Sequence, residues 1–218
     1  MTIKEFEKKW GVKFCTDHTG KMENMVSLST SVIENEDCRK RSKIKGSICE
    51  KCFARAMAER YGKNFKDKYA ENTRILTSVI IPVNEWAEVN ALYVRLEAFG
   101  DLNNPTQFIN FNNFAKHNPK TVFTLWTKNP RYIKEALDMG HKKAKNLIII
   151  YSSPMINAKV NTEKLFKLMP FIDKVFTVFD GKTILKNNID INCGARNCFT
   201  CGRCYSKRTV KEIREKLK

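Results

Sequence analysis

The sequence predicts an α/β protein, a partial parallel (βα)6-like barrel with cysteine-rich loops near its N- and C-terminal ends. Three observations lead there. Through the middle of the chain, short β-branched and aromatic runs alternate with segments of helical spacing. The length of 218 residues suits a single domain and holds five or six βα units, eight being a tight fit. Most of the eight cysteines fall into one early and one late group, which a barrel would bring to one mouth, unless the late group caps the far side and only stabilises the fold.

Taken in order, Met25–Ser31 (MVSLSTS) supplies the first strand and Lys51–Leu76 a long helical stretch. Ala91–Phe99, Val122–Trp126, Leu147–Tyr151 and Lys174–Phe179 follow as strands, bounded by Gly, Asn, Pro or Asp. Between them, Thr106–His117 spaces Phe108, Phe111 and Phe114 three apart, Pro130–Met139 is entered through Asn129 and left through Gly140, and Thr162–Leu168 is short and amphipathic. Arg208–Lys218 (RTVKEIREKLK), within the tail 206–218, reads as a basic helix whose Glu212 and Glu215 make it a solvated, salt-bridged one. Alternation of this kind implies parallel strands with crossover helices, in an open doubly wound sheet or a barrel. Ligands of such folds gather at the carboxyl ends of the strands. That edge should carry Glu97, Asp101, Thr127, Lys128, Ser152, Ser153 and Asp180, each either a site residue or a helix and turn cap.

Hydrophobic residues at 42% indicate a folded chain. No run approaches the roughly 18 uncharged apolar residues of a membrane span, and the start, MTIKEFEKKW, lacks the apolar core of a secretory signal. The expectation is a cytoplasmic protein without membrane contact. The net charge of +17, from 40 Lys and Arg against 23 Asp and Glu, fits nucleic acid or another polyanion as partner, or only a solubilising surface. In a reducing compartment, cysteines at C-x2-C spacing point to metal ligation rather than to disulfides.

The late group, Cys193, Cys198, Cys201 and Cys204, has the spacing C-x4-C-x2-C-x2-C. Four thiolates so close together can converge on one 4Fe–4S cluster, with Gly194 and Gly202 letting the backbone approach the sulfurs. Zinc is the alternative, though its cysteines usually come as two separated pairs. The early group, Cys38, Cys49 and Cys52, is C-x10-C-x2-C and supplies three ligands. A cluster held by three thiolates keeps one iron open. The other reading has Cys15 or His18 close the site, as a structural cluster or a zinc site. Arg39–Lys45, a basic run between the ligands, would lie beside a negatively charged cluster or simply face solvent.

Cys49, Cys52 and Phe53, then Arg95-Leu96-Glu97-Ala98-Phe99-Gly100-Asp101, then Phe123-Thr124-Leu125-Trp126-Thr127-Lys128, then the terminal C-x2-C-x2-C-Tyr, together resemble the phage "gene product 88" family over residues 24 to 205. The resemblance implies a phage or prophage origin, hence a host-cell cytoplasm, and little mechanism. More distantly, the layout is similar to radical S-adenosylmethionine enzymes, which carry an N-terminal three-cysteine loop on a partial (βα)6 barrel. Two features depart from that pattern. The first cysteine gap is ten residues rather than three, and Glu97–Asp101 stands where a glycine-rich segment ending in Glu is usual. The likeness implies one or two 4Fe–4S clusters, S-adenosylmethionine at the early one, and an auxiliary cluster on the late group. It also implies Glu97 or Asp101 near the cofactor's amino group or ribose. Arg95 and Lys128 would be cations for an anionic substrate group, or partners of Glu97 and Asp101. The competing expectation is a non-catalytic, metal-stapled basic protein that binds nucleic acid or a host protein through Arg39–Lys45 and the terminal helix.

Overall fold

The computed structural model describes residues 1–217, and its elements begin at caps written in the sequence. Helix α1 (Ile3–Trp10) starts at a capping box in which the Thr2 side chain accepts from Glu5 N while the Glu5 carboxylate accepts from Thr2 N at 2.8 Å. Strand β1 (Val26–Leu28) leads to α2 (Glu36–Arg41), where Asn35 Oδ1 accepts from Cys38 N at 2.9 Å. After the loop 42–52 comes helix α3 (Phe53–Ser78), broken at Gly62, whose φ of 73° and ψ of −154° lie outside the helical region. Then come β2 (Tyr93–Leu96), α4 (Pro105–His117), β3 (Val122–Thr127), α5 (Pro130–Asp138), β4 (Leu147–Ser152), α6 (Thr162–Leu168), β5 (Lys174–Phe179), α7 (Gly181–Asn187), the one-turn α8 (Cys198–Cys201) and β6 (Glu212–Lys216). Asn104, Asn161, Asp180 and Asn197 cap α4, α6, α7 and α8 through side-chain oxygens.

The six strands form one sheet, all parallel, in the order β1-β2-β3-β4-β5-β6. With no reversal of order, right-handed crossovers place the connecting helices on one face. The main core fits this: Val94, Leu96, Phe123, Leu125, Leu147 and Ile149 from the strands pack with Phe108, Phe111, Phe114, Ile133 and Ala136 from α4 and α5. Each buried Phe contributes roughly 1.5–3 kcal/mol. The alternate strand residues Ile148, Ile150 and Ile213, with Val122, Trp126 and Phe176, form a second cluster on the opposite face, joined there by Cys193 and Cys204.

The parallel α/β class expected from the sequence is present, but the sheet is open: β1 and β6 are its edges. Each edge is partly covered, β1 by an antiparallel bridge from Cys15 to Ser27 and β6 by a parallel bridge from Cys193 to Glu215, which shields unpaired backbone groups. The expected Arg208–Lys218 helix is corrected. Lys218 lies outside the described residues, and Glu212–Lys216 is a strand paired with Val175–Phe179. Its alternation of Glu, Ile, Arg, Glu and Lys buries Ile213 and leaves its charges at the edge, a tertiary outcome that overrides local helix propensity. The Ala91–Phe99 strand narrows to Tyr93–Leu96, because Glu97 turns to a φ of 56°.

Candidate functional site

The loop after β1 carries the early cysteines across the carboxyl edge of the sheet. Asn35 fixes Cys38 by accepting from its backbone and donating through Nδ2 to Asp101 O at 2.9 Å. Arg41, one helical turn on from Cys38, donates to Asp101 Oδ2 at 2.8 Å and to Asn129 Oδ1 at 2.7 Å, and its Nη2 lies 3.8 Å from Cys38 Sγ. Asp101 also accepts from Thr127 Oγ1 at 2.5 Å and from the Lys128 backbone at 3.1 Å. One carboxylate thus ties together the loops after β1, β2 and β3. Cys38 and Cys52 share a small apolar cluster with Val32, Ala54 and Phe99. Cys38 and Cys49 are buried and Cys52 is half-buried at the N-cap of α3.

Burial pushes the Cys38 thiol up to about 12, with Asp101 adding to the rise and Arg41 and Lys128 opposing it. Ligation would require that thiol to lose its proton, which a bound metal promotes more strongly than the nearby Arg41 does. Lys128 is half-buried, and its ammonium has no ion-pair partner among the described residues.

Glu97 lies below this edge, wholly buried. Its carboxyl accepts from Thr30 Oγ1 at 2.8 Å, from Thr30 N at 3.2 Å and from Gln107 Nε2. Burial lifts it to about 8 against these hydrogen bonds. Gly100 is required by the same packing, since a Cβ there would stand 2.6 Å from Thr30 O. Glu97 and Asp101 therefore hold loops together, and all their carboxyl oxygens have protein partners. Of the other edge residues, Asp180 is the α7 cap, while Ser152 and Ser153 close β4.

The late group lies elsewhere, over the opposite face of the sheet. Cys193 N donates to Arg214 O beside β6. Lys21 Nζ bridges Glu215 Oε1 at 3.0 Å and Cys193 Sγ at 3.9 Å. Tyr205 stacks on Tyr93 with centroids 4.4 Å apart and Phe199 meets the same ring edge-on at 5.6 Å, so the module is seated on the amino end of β2. Gly202, at φ 59°, comes so close to Tyr93 that a Cβ would sit 3.2 Å from its hydroxyl. Cys193, Cys198, Cys201 and Cys204 line one cavity together with Lys21 and Arg203. Burial raises Cys193, Cys198 and Cys204, the last to about 12.

Arg95, expected as a substrate cation or a partner of Glu97 and Asp101, is here instead, on the face of the late cysteines. Its guanidinium lies 4.6 Å over the Trp126 ring, and its charge opposes the burial-driven rise of Cys198 and Cys204. Arg95 Nε and Trp126 Nε1 are buried donors without a partner among the described residues. Cys15 keeps other company: its thiol is 3.4 Å from Asp17 Oδ1 and 3.7 Å from His18 Nδ1, and His18 Nε2 pairs with Ser27 Oγ at 2.8 Å. Among the described residues, no three His, Cys, Asp or Glu side chains are placed at the geometry of a single bound metal ion.

Sequence reasoning placed Arg41 beside the early cysteines only as part of the basic run Arg39–Lys45, and missed Lys21 and Trp126 as site residues. Arg41 had a signal, because Asn35-Glu36-Asp37 marks a helix start and places Arg41 one turn from Cys38. Lys21 and Trp126 had none, since only the fold brings them to the late cysteines. The chain matches the family model described as gene product 88 over residues 4–216. No curated protein and no solved structure matches it.

Proposed function

The chain belongs to the gene product 88 family, and from its two cysteine groups we propose that it is an iron–sulfur protein of radical S-adenosylmethionine type, its open sheet serving as that of a partial (βα)6 barrel. The observation that carries this is the seating of Cys38, Cys49 and Cys52 on the carboxyl edge of a sequentially ordered parallel sheet, where parallel folds bind ligands. A 4Fe–4S cluster held there by three thiolates supplies an iron open to cofactor or substrate. Around it, Arg41 and Lys128 offset the charge of the thiolates, Asp101 holds Arg41 in place, and the unpaired Lys128 ammonium is available to an anionic substrate group. Cys193, Cys198, Cys201 and Cys204 hold the auxiliary cluster, with Lys21 and Arg95 beside its sulfurs.

Anaerobic purification followed by metal and sulfide analysis tests this reading. It predicts broad absorbance at about 400 nm, about eight iron atoms per chain when both sites are full, and an electron paramagnetic resonance signal that S-adenosylmethionine perturbs. A colourless protein containing zinc, or a reduced cluster indifferent to S-adenosylmethionine, would contradict it.

A further inference from the structure

Next to the early cysteines, α3 presents aromatic side chains to solvent. Phe53 is 62% exposed and Tyr61 56% exposed, although large aromatics are costly to leave in water. They do not stand alone. Phe53 packs on Phe99 at 5.7 Å, Phe99 on Phe65 at 5.4 Å, and Phe65 on Tyr61 at 5.5 Å, giving a continuous shelf of four rings. The break at Gly62 falls between Tyr61 and Phe65. Phe99 meanwhile touches the cluster of Cys38 and Cys52, so the shelf leads straight to the thiols.

The charge around the shelf is lopsided. Residues 51–66 carry Lys51, Arg55, Arg60, Lys63 and Lys66 against the single acid Glu59. None of these five cations has an ion-pair partner among the described residues. On α3, Arg60 is adjacent to Tyr61 and lies seven residues, about two turns, from Phe53, which puts it on the flank of the aromatic stripe. Exposed Arg39, Lys43 and Lys45 of the cysteine loop extend the same sign. Exposed rings flanked by unpaired cations are the complement of unstacked bases on a phosphate backbone.

We propose that this shelf and its cations bind single-stranded nucleic acid, bases stacking on Phe53 and Tyr61 and phosphates meeting the flanking Lys and Arg, so that a nucleotide is delivered to the early cysteine group. The delivery rests on the function proposed above; the binding does not. Base faces are free only in single strands, so duplex is the weaker ligand.

The test uses the full chain and fluorescein-labelled DNA and RNA strands of about 20 nucleotides, single and duplex, titrated at about 50 and 200 mM salt. Single strands should bind with an affinity that falls steeply with salt. The Phe53→Ala/Tyr61→Ala variant should bind at least about tenfold more weakly with its salt slope unchanged. Lys51→Ala/Arg60→Ala should flatten the slope by about 0.7 for each phosphate no longer neutralised. No binding at the lower salt, equal binding by the aromatic variant, or duplex bound as tightly as single strand would each overturn the proposal. Iron measured in the same samples separates the two readings. Strand binding without iron keeps this inference and removes the iron–sulfur one, and iron without strand binding does the reverse.

Discussion

Two carboxylates of one short segment do different work. Asp101 is saturated with donors, receiving Arg41, Thr127 and the Lys128 backbone, so it sets the geometry of three loops. Glu97, four residues earlier, has hydrogen bonds but no counter-ion, and burial raises it from 4.5 to about 8. Because its folded pKa is above its unfolded one, the folded state holds the extra proton between those values. Stability is fully present below about pH 4.5 and declines as pH rises toward 8. The decline is of the order of a few kcal/mol, less whatever relaxation admits water. Glu97→Gln, which keeps the shape and removes the titration, should have a melting temperature that changes by several degrees less than the parent's between pH 5 and pH 8, as about 2–4 °C accompanies each kcal/mol in a chain of this size. Parallel pH profiles for the two proteins would show that Glu97 does not titrate in this range. The sequence marked Glu97 and Asp101 as strand-end polar residues, which they are. Their partners Thr30, Gln107 and Arg41 come from distant segments, and no local pattern identifies such pairings.

Among the elements, those with strong local signals were legible in the sequence. The strands over Val122–Thr127, Leu147–Ser152 and Lys174–Phe179 and the helices over Pro105–His117, Pro130–Asp138 and Thr162–Leu168 fall within a residue or so of the runs that predicted them, because β-branched runs, apolar periodicity and flanking Asn, Gly and Pro agree there. The tail was not legible. Glu212–Lys216 has a helical composition and becomes a strand only because β5 offers an edge to pair with. The late cysteine module depends on that strand, through Cys193 N to Arg214 O and Asn192 Oδ1 from Arg214 N. The module also lies on Tyr93 and over the apolar face of the sheet. Metal held there would therefore stabilise the fold as well as fill a site. Cys201 is exposed and packs against little, so Cys201→Ala should cost almost nothing except through the ligand it removes. Differential scanning should find it melting roughly 5 °C or more below the parent, and the two melting points should coincide once a chelator has stripped the metal from both. A variant melting with the untreated parent would show that the module holds the fold without metal.

At the scale of the whole molecule, the two cysteine groups are divided by the sheet itself. The early one sits at the carboxyl edge, tied to the loops after β1, β2 and β3, and the late one lies across the opposite face, from Tyr93 at the start of β2 to Glu215 in β6. The sequence left open whether both met at one mouth, and spacing alone could not decide, since that depends on where β6 returns the chain. Cys38 lies against Arg41 and shares an apolar cluster with Cys52 and Phe99, whereas Cys15 is bound into the β1 edge with Asp17, His18 and Ser27. The proposed function requires an open three-cysteine cluster at the early group, and iron content per chain is the measurement that decides it. In anaerobically reconstituted protein, Cys49→Ala should lose about half the iron and Cys15→Ala none. Equal loss in the two variants would mean that Cys15 closes the site with a fourth thiolate and that no iron is open.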